Sequence, residues 1–292
     1  MNSEYAGSIL KSEMIVKHPI FIKDALIHKK GQKDLFVAGG TLLQVQWESG
    51  TPLPNTLINL LLLQELRGVT CQTEGDSSRV TIGALTTIAE CISHPIIAEH
   101  VSLLSKACRT IAAPAVRNRA TIGGNVASLA GDTIPALLAL NAEVKLALEN
   151  DIYVMSLRDW LANPNQQQSC ILLEIMIPVS SKGTTNDFYR KVGRREAFIP
   201  SLLTIGGQWE LNNKGEIQFV RIAVGGGSHR PIRLERVETI LRGKTVNQEI
   251  LYKAIVEEFQ SYSDPFVSET YRKKVAVNII MSEFSEVLGG KG

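Results

Sequence analysis

Two glycine pairs, Gly39-Gly40 and Gly123-Gly124, each with a hydroxyl or amide side chain beside it, constrain this chain more than any other feature. The apolar run Leu35-Phe36-Val37-Ala38, opened by Asp34, reads as a buried strand feeding into Gly39-Gly40-Thr41, and Ala120-Thr121-Ile122 leads into Gly123-Gly124-Asn125. Glycine allows close backbone approach and left-handed dihedrals. A strand that breaks into such a turn makes a nest of backbone N–H groups suited to phosphate oxygens, and two nests can clamp one diphosphate. Glycine pairs are also ordinary loop material, and the chain has six of them. Either loop taken alone therefore reads first as a plain turn. Gly206-Gly207 and Gly225-Gly226-Gly227 are read as structural, within or at the ends of strands.

Other nucleotide-binding signatures are missing. No GxGxxG follows a strand, and the phosphate-loop pattern GxxxxGK followed by Ser or Thr is absent. There is no GxSxG element, and His18, His28, His94, His100 and His229 form no constellation with a carboxylate and a nucleophile. Cys71, Cys91, Cys108 and Cys170 include no CxxC pair, which argues against a metal or iron–sulfur site and for reduced thiols in a cytoplasm. The 31 basic and 29 acidic residues leave a net charge of +2, with no Lys/Arg run suited to nucleic acid. No apolar stretch approaches a membrane span, and the opening residues, with Glu4 and Glu13, lack a secretory core. At 292 residues, 44% of them hydrophobic, the chain has material for two domains.

A short helix begins at Asp24-Ala25-Leu26, and strands are expected over 34–38, 56–60 and 79–83. Val101, Leu104, Cys108 and Ile111 recur at helical spacing, which predicts one helix over 98–112 with Pro114 just past its end. Asp132 is placed to cap a helix running to Leu140, and strands follow over 144–148 and 171–177. The polar stretch 180–186 reads as a linker. Beyond it come three strands, over 188–192, 201–211 and 217–225, the last two joined by the turn Asn212-Asn213-Lys214-Gly215. Helices over 246–262 and 269–288 close the chain, making an α+β unit.

Taken in order, Val37-Ala38-Gly39-Gly40-Thr41, Arg117-Asn118 ahead of Ala120-Thr121-Ile122-Gly123-Gly124-Asn125, Asp132, and Ala136-Leu137-Leu138-Ala139-Leu140 resemble the FAD-binding subunit of xanthine dehydrogenases and carbon monoxide dehydrogenases. The resemblance continues through Tyr189-Arg190-Lys191-Val192-Gly193-Arg194-Arg195 and Tyr271-Arg272-Lys273-Lys274, and so covers nearly the whole chain. The ordered pair of loops with its Arg-Asn lead-in makes it specific. It implies an α+β fold: a PCMH-type FAD-binding domain over 11–180, in subdomains of about 11–70 and 71–180, then a C-terminal domain over 187–292 with a three-stranded antiparallel sheet and helices.

By this resemblance Val37, Ala38, Gly39, Gly40, Thr41 and Leu42 would wrap the pyrophosphate and ribityl chain from one side. Thr121, Gly123, Gly124 and Asn125 would do so from the other, with Ala112 and Ala120 lining the same cleft. Asp132 would accept a hydrogen bond from a ribose hydroxyl, alongside or instead of its capping role. Ile171 and Leu172 match a strand packed against adenine or flavin, though core burial alone would also explain them. Lys191 matches a lysine near the isoalloxazine, with Arg190 as the neighbouring alternative and a surface ion pair as the plain one. Arg194, Arg195 and Glu196 resemble a mobile loop beside the flavin. Between Asn125 and Asp132 the chain is slightly shorter than the mammalian-type relatives.

The implied enzyme divides its labour. A large subunit with a molybdenum cofactor, molybdopterin, hydroxylates the substrate, and a small 2Fe-2S subunit relays the electrons. This chain's FAD passes them to NAD or another acceptor, and no side chain here needs to act as nucleophile or base. A purine such as xanthine is the expected substrate class, with the carbon monoxide, nicotinate and aldehyde branches open. A stand-alone flavoprotein would need an acid–base group or a His or Cys for covalent flavin attachment, and the sequence points to none. A flavin-free scaffold subunit is the alternative of another class.

Overall fold

The computed structural model describes residues 14–285 apart from 76, 150, 164–168, 181–184, 194–200, 228 and 243–245. β1 (Ile15–Lys17), β2 (Asp34–Val37) and β3 (Thr56–Asn59) form a small parallel sheet in the order β1-β3-β2. Parallel strands need crossovers, and the helices Ile22–His28 and Thr41–Glu48 lie in them. Asp34 fixes the entry to β2 by accepting the N–H groups of Lys30 and Gly31 at 3.0 and 2.9 Å. Burial works to raise its carboxyl, but the hydrogen bonds from Thr56, Lys30 and Gly31, with the charge of Lys29, hold it below the usual carboxylate range.

β4 (Val69–Glu74), β5 (Ser77–Gly83), β6 (Glu143–Leu148), β7 (Asp151–Ser156) and β8 (Ile171–Ser180) make an antiparallel sheet in the order β4-β5-β8-β6-β7. Central β8 is buried on both faces. Its register against β6 shifts between Lys145 and Leu146, and a bulge of this kind moves side chains to the opposite face. Ile171 and Leu173 therefore join the small core beneath the first sheet, whereas Leu172, Ile175 and Ile177 join the main core. The main core is closed by helices that include Ile88–Ser93, Ser102–Arg109 and Ile134–Ala139.

The helix expected over 98–112 is two, Pro95–His100 and Ser102–Arg109, because Val101 leaves helical dihedrals at φ −139°. Pro114 stands beyond the end of Ser102–Arg109, as expected, and also opens the short helix Pro114–Arg117, where its missing N–H costs nothing.

The third sheet corrects the expectation of three strands. β9 (Asn186–Val192), β10 (Leu203–Leu211), β11 (Ile217–Gly226) and β12 (His229–Arg233) give four antiparallel strands in the order β12-β11-β10-β9. β12 contains Pro231 and follows three glycines, a composition that reads as loop. At a sheet edge a proline is tolerated, and the irregular pairing between Val224 and Gly226 accommodates it. The expected hairpin turn is present, with Gly215 at φ +77° and Asn212 Oδ1 accepting the amides of Lys214 and Glu216. Helices Glu235–Leu241, Gln248–Glu258 and Glu269–Glu283 cover this sheet. No described helix is long and apolar enough to cross a membrane.

Candidate functional site

β2 ends at Val37, and the chain turns through Gly39 and Gly40 into the helix Thr41–Glu48. Gly40 sits at φ +71°, a left-handed conformation that costs other residues about 1–2 kcal/mol. It precedes the helix directly and has no side chain with which to cap it. Among the described residues, the backbone N–H groups of Gly40, Thr41, Leu42 and Leu43 meet no acceptor. Open donors at the positive end of a helix are what an anion requires. Val37 and Ala38 are partly buried at the turn, and Leu42 is exposed.

The second loop follows the helix Pro114–Arg117, not a strand as expected. It lies along residues 84–88: Ile88 N–H donates to the Ala120 carbonyl at 2.8 Å, and Ile122 and Gly123 donate to Thr86 and Ala84 at 2.9 Å. A Cβ on Gly123 would stand 2.6 Å from the Ala84 Cβ, so only glycine permits this approach. Thr121, buried, caps the helix Ile122–Ala127 by accepting the Gly124 N–H at 3.1 Å. The Asn125 N–H goes to the Thr121 carbonyl. The amides of 122–125 are thus already hydrogen-bonded within the protein. This loop contributes shape and the exposed face of Gly124, while the first contributes the open donors.

The two loops touch through backbone. A Cβ on Gly39 would stand 2.7 Å from the Arg119 carbonyl carbon and 3.1 Å from the Ala120 Cα. Gly39 is therefore required by contact and Gly40 by its dihedral.

Asn125 carries the second loop forward to Asp132. Its Oδ1 accepts the Thr133 hydroxyl at 2.6 Å and the Thr133 N–H at 3.1 Å. Asp132 does not cap the following helix: Thr133 occupies that position, and no side chain caps it. The Asp132 carboxylate instead accepts Lys191 Nζ at 2.7 Å and the Ser201 hydroxyl at 2.6 Å, while the Tyr189 hydroxyl donates to its carbonyl at 2.6 Å. Lys191 also donates to the Thr110 carbonyl at 3.0 Å. Lys191 and Asp132 are 15% and 16% exposed, so the pair is largely desolvated. Burial, and then the charge of Asp132, pushes the Tyr189 phenol well above its usual value.

Successive residues of a strand face opposite ways, and this settles which cation reaches Asp132. Lys191 faces it, and Arg190 turns to Glu283 in the last helix at 2.5 Å. Ala112, at φ +36°, and Ala120 are partly buried against the main core. Ile171 and Leu172 lie in the cores on opposite faces of β8. Arg194, Arg195 and Glu196 fall outside the described residues. Ser201 and Thr110, which converge on the Lys191–Asp132 pair, carry no sequence signal that would single them out. A separate surface hollow of about 160 Å³ is lined by Arg158 and Arg233, among others. Those cations are paired with Asp159, Glu235 and Glu238, so the hollow holds no free charge.

Residues 18–180 match the family described as FAD binding domain in molybdopterin dehydrogenase, and residues 187–287 match the CO dehydrogenase flavoprotein C-terminal domain. The chain is 30% identical over 260 residues to the glyceraldehyde dehydrogenase medium chain of Sulfolobus acidocaldarius, covering 86% of this chain and 89% of that one. It is 24% identical over 264 residues to the xanthine dehydrogenase FAD-binding subunit of Escherichia coli O157:H7, covering 88% and 89%. The fold is similar to a chain in the structure of carbon monoxide dehydrogenase from Hydrogenophaga pseudoflava, with a TM-score of 0.82 at 24% identity, covering 91% of this chain and 94% of that one.

Proposed function

The chain belongs to the family of FAD-binding domains of molybdopterin dehydrogenases, and from that premise we propose that it holds FAD where its glycine loops meet and serves as the flavin subunit of a molybdenum hydroxylase. One observation carries the reading: the unspent amides of Gly40, Thr41, Leu42 and Leu43 open beside the point where Gly39 touches Arg119 and Ala120. That donor set fits a diphosphate, and the absence of side chains on Gly39 and Gly40 leaves it uncrowded.

When bound, FAD supplies the redox chemistry, taking up two electrons and passing them on. The chain's own residues bind and orient it. The first loop holds the phosphates, while Ala112, Ala120 and Gly124 form the facing wall. Asp132 keeps acceptor capacity for a ribose hydroxyl beyond its bonds to Lys191 and Ser201. Lys191, its ammonium fixed between Asp132 and Thr110, offers positive charge beside the ring.

The electrons reach this subunit from a molybdopterin-bearing large subunit through a small 2Fe-2S subunit, and leave to NAD or another acceptor. A surface suited to partners supports this. Ten of the 18 large hydrophobics exposed among the described residues lie within 14–62, and the helix Thr41–Glu48 buries none of its residues. The substrate hydroxylated by the partner is a purine such as xanthine, a reading that the xanthine dehydrogenase relative supports. The 30% identity to a glyceraldehyde dehydrogenase medium chain favours an aldehyde as the second reading. Its four free cysteines suit work in the cytoplasm.

The test is to purify the tagged chain with its natural partners, identify them by mass spectrometry, and assay xanthine, an aldehyde, carbon monoxide and nicotinate with NAD and with a dye. The complex should reduce NAD with xanthine, whereas the isolated FAD-loaded chain should pass electrons from NADH to dye and leave xanthine untouched. Oxidation of aldehyde alone would replace the purine reading. Purine hydroxylation by this chain alone would overturn the division of labour.

A further inference from the structure

The turn from Thr110 to Ala112 is held in an unusual way. Arg117 Nη1 donates to the Ile111 carbonyl at 2.8 Å and to the Ala112 carbonyl at 2.6 Å, while Lys191 Nζ takes the Thr110 carbonyl at 3.0 Å. Two cations thus grip three consecutive carbonyls. Ala112 stands at φ +36°, a conformation that residues with a Cβ rarely adopt and that persists only where surrounding contacts enforce it. With the carbonyls held, the amides of Ala112 and Ala113 find no acceptor among the described residues, although both residues are partly exposed beside the Lys191–Asp132 pair.

We infer that Arg117 is a positioning residue for the cofactor cleft: it locks Ala112 in its left-handed bend and so keeps the Ala112 and Ala113 amides free as donors for oxygens of the bound flavin nucleotide. The inference rests on the FAD reading above and adds a residue that does not itself touch the cofactor. Without the guanidinium, Ala112 relaxes toward negative φ, its carbonyl turns, and the donor pair is lost. Glycine at 112 occupies the same bend without strain, so Arg117 should matter less there.

That difference makes the test a double-mutant cycle on the full chain. FAD dissociation constants are measured by flavin fluorescence for the wild type, Arg117→Gln, Ala112→Gly and the double variant, with circular dichroism melts alongside. Arg117→Gln should weaken FAD binding roughly tenfold, the scale of one released backbone strain. In the Ala112→Gly background the same change should cost clearly less. A purely structural role would lower the melting temperature of both backgrounds equally and leave the two losses in affinity the same, which would overturn the inference. Unchanged affinity in Arg117→Gln would overturn it as well. A wild-type chain that binds no FAD would remove the reading on which the inference stands, and is told apart by its own titration.

Discussion

Replacing Gly39 with alanine asks whether the two glycine loops must touch. The new carbon would stand 2.7 Å from the Arg119 carbonyl carbon and 3.1 Å from the Ala120 Cα. Both are backbone atoms, and the Arg119 and Ala120 amides are tied to the Val116 carbonyl at 3.0 and 2.8 Å. No side chain can swing aside, so the loops must part by about 1 Å, and overpacking of that kind costs about 1–3 kcal/mol. Gly40→Ala separates the steric effect from the dihedral one. Its Cβ would meet nothing nearer than Val37 Cγ2 at 3.7 Å, so its cost is the left-handed φ, about 1–2 kcal/mol. Gly50→Ala is the control, with φ +94° and nothing within 4 Å. Urea denaturation and FAD titration of the three variants provide the assay. All three should lose stability, but Gly39→Ala should also lose FAD affinity, by about tenfold or about 1.4 kcal/mol. Gly50→Ala should bind like the wild type. A Gly39→Ala chain that binds FAD as tightly as Gly50→Ala would refute the claim that the cofactor depends on contact between the loops.

Removing one member of the Lys191–Asp132 pair strands the other in a largely desolvated place, so Asp132→Ala should cost about 2–3 kcal/mol in urea denaturation, below the figure for a fully buried pair; a loss under half that would mean water replaces the contact. With the fold intact, Lys191→Met should make the flavin harder to reduce and Asp132→Asn easier, because they remove opposite charges; equal midpoint potentials in a redox titration would return Lys191 to a structural role. The Tyr189 phenol, raised by burial and by Asp132, keeps its proton in the folded chain when the unfolded chain has lost it. Its contribution to stability is therefore full below the ordinary tyrosine value of 10.0 and falls as pH rises past it. The stability difference between wild type and Tyr189→Phe should shrink above that pH, and a difference that stays constant would contradict the shift.

The sequence was most informative where local chemistry decides the structure. β2 running into Gly39-Gly40, the Asn212–Gly215 turn, central β8 and the apolar helix Ile134–Ala139 all follow from short-range pattern. Structure decided by distant partners was hidden. The helix Thr41–Glu48 buries nothing and shows no apolar face, and β12 looks like a glycine-proline loop until β11 lies beside it. The same division runs through the site. Gly39, Gly40, Asp132 and Lys191 could be named from their motifs, but the pairing of Asp132 with Lys191 and Ser201 joins residues 59 and 69 positions apart. Spacing could not reveal that the second loop spends its amides internally, since that depends on residues 84–88 lying alongside it.

The central claim is that this chain holds FAD in its glycine-loop cleft, and flavin stoichiometry tests it most directly. The chain, freed of endogenous ligand, is titrated with FAD, and the bound flavin is quantified by absorbance after gel filtration, beside the variant Gly40→Val. The wild type should retain an equimolar amount of FAD, and Gly40→Val, folded by circular dichroism, should retain almost none. A wild-type chain that keeps no flavin at saturating FAD, or a Gly40→Val variant that keeps its full share, would contradict the account.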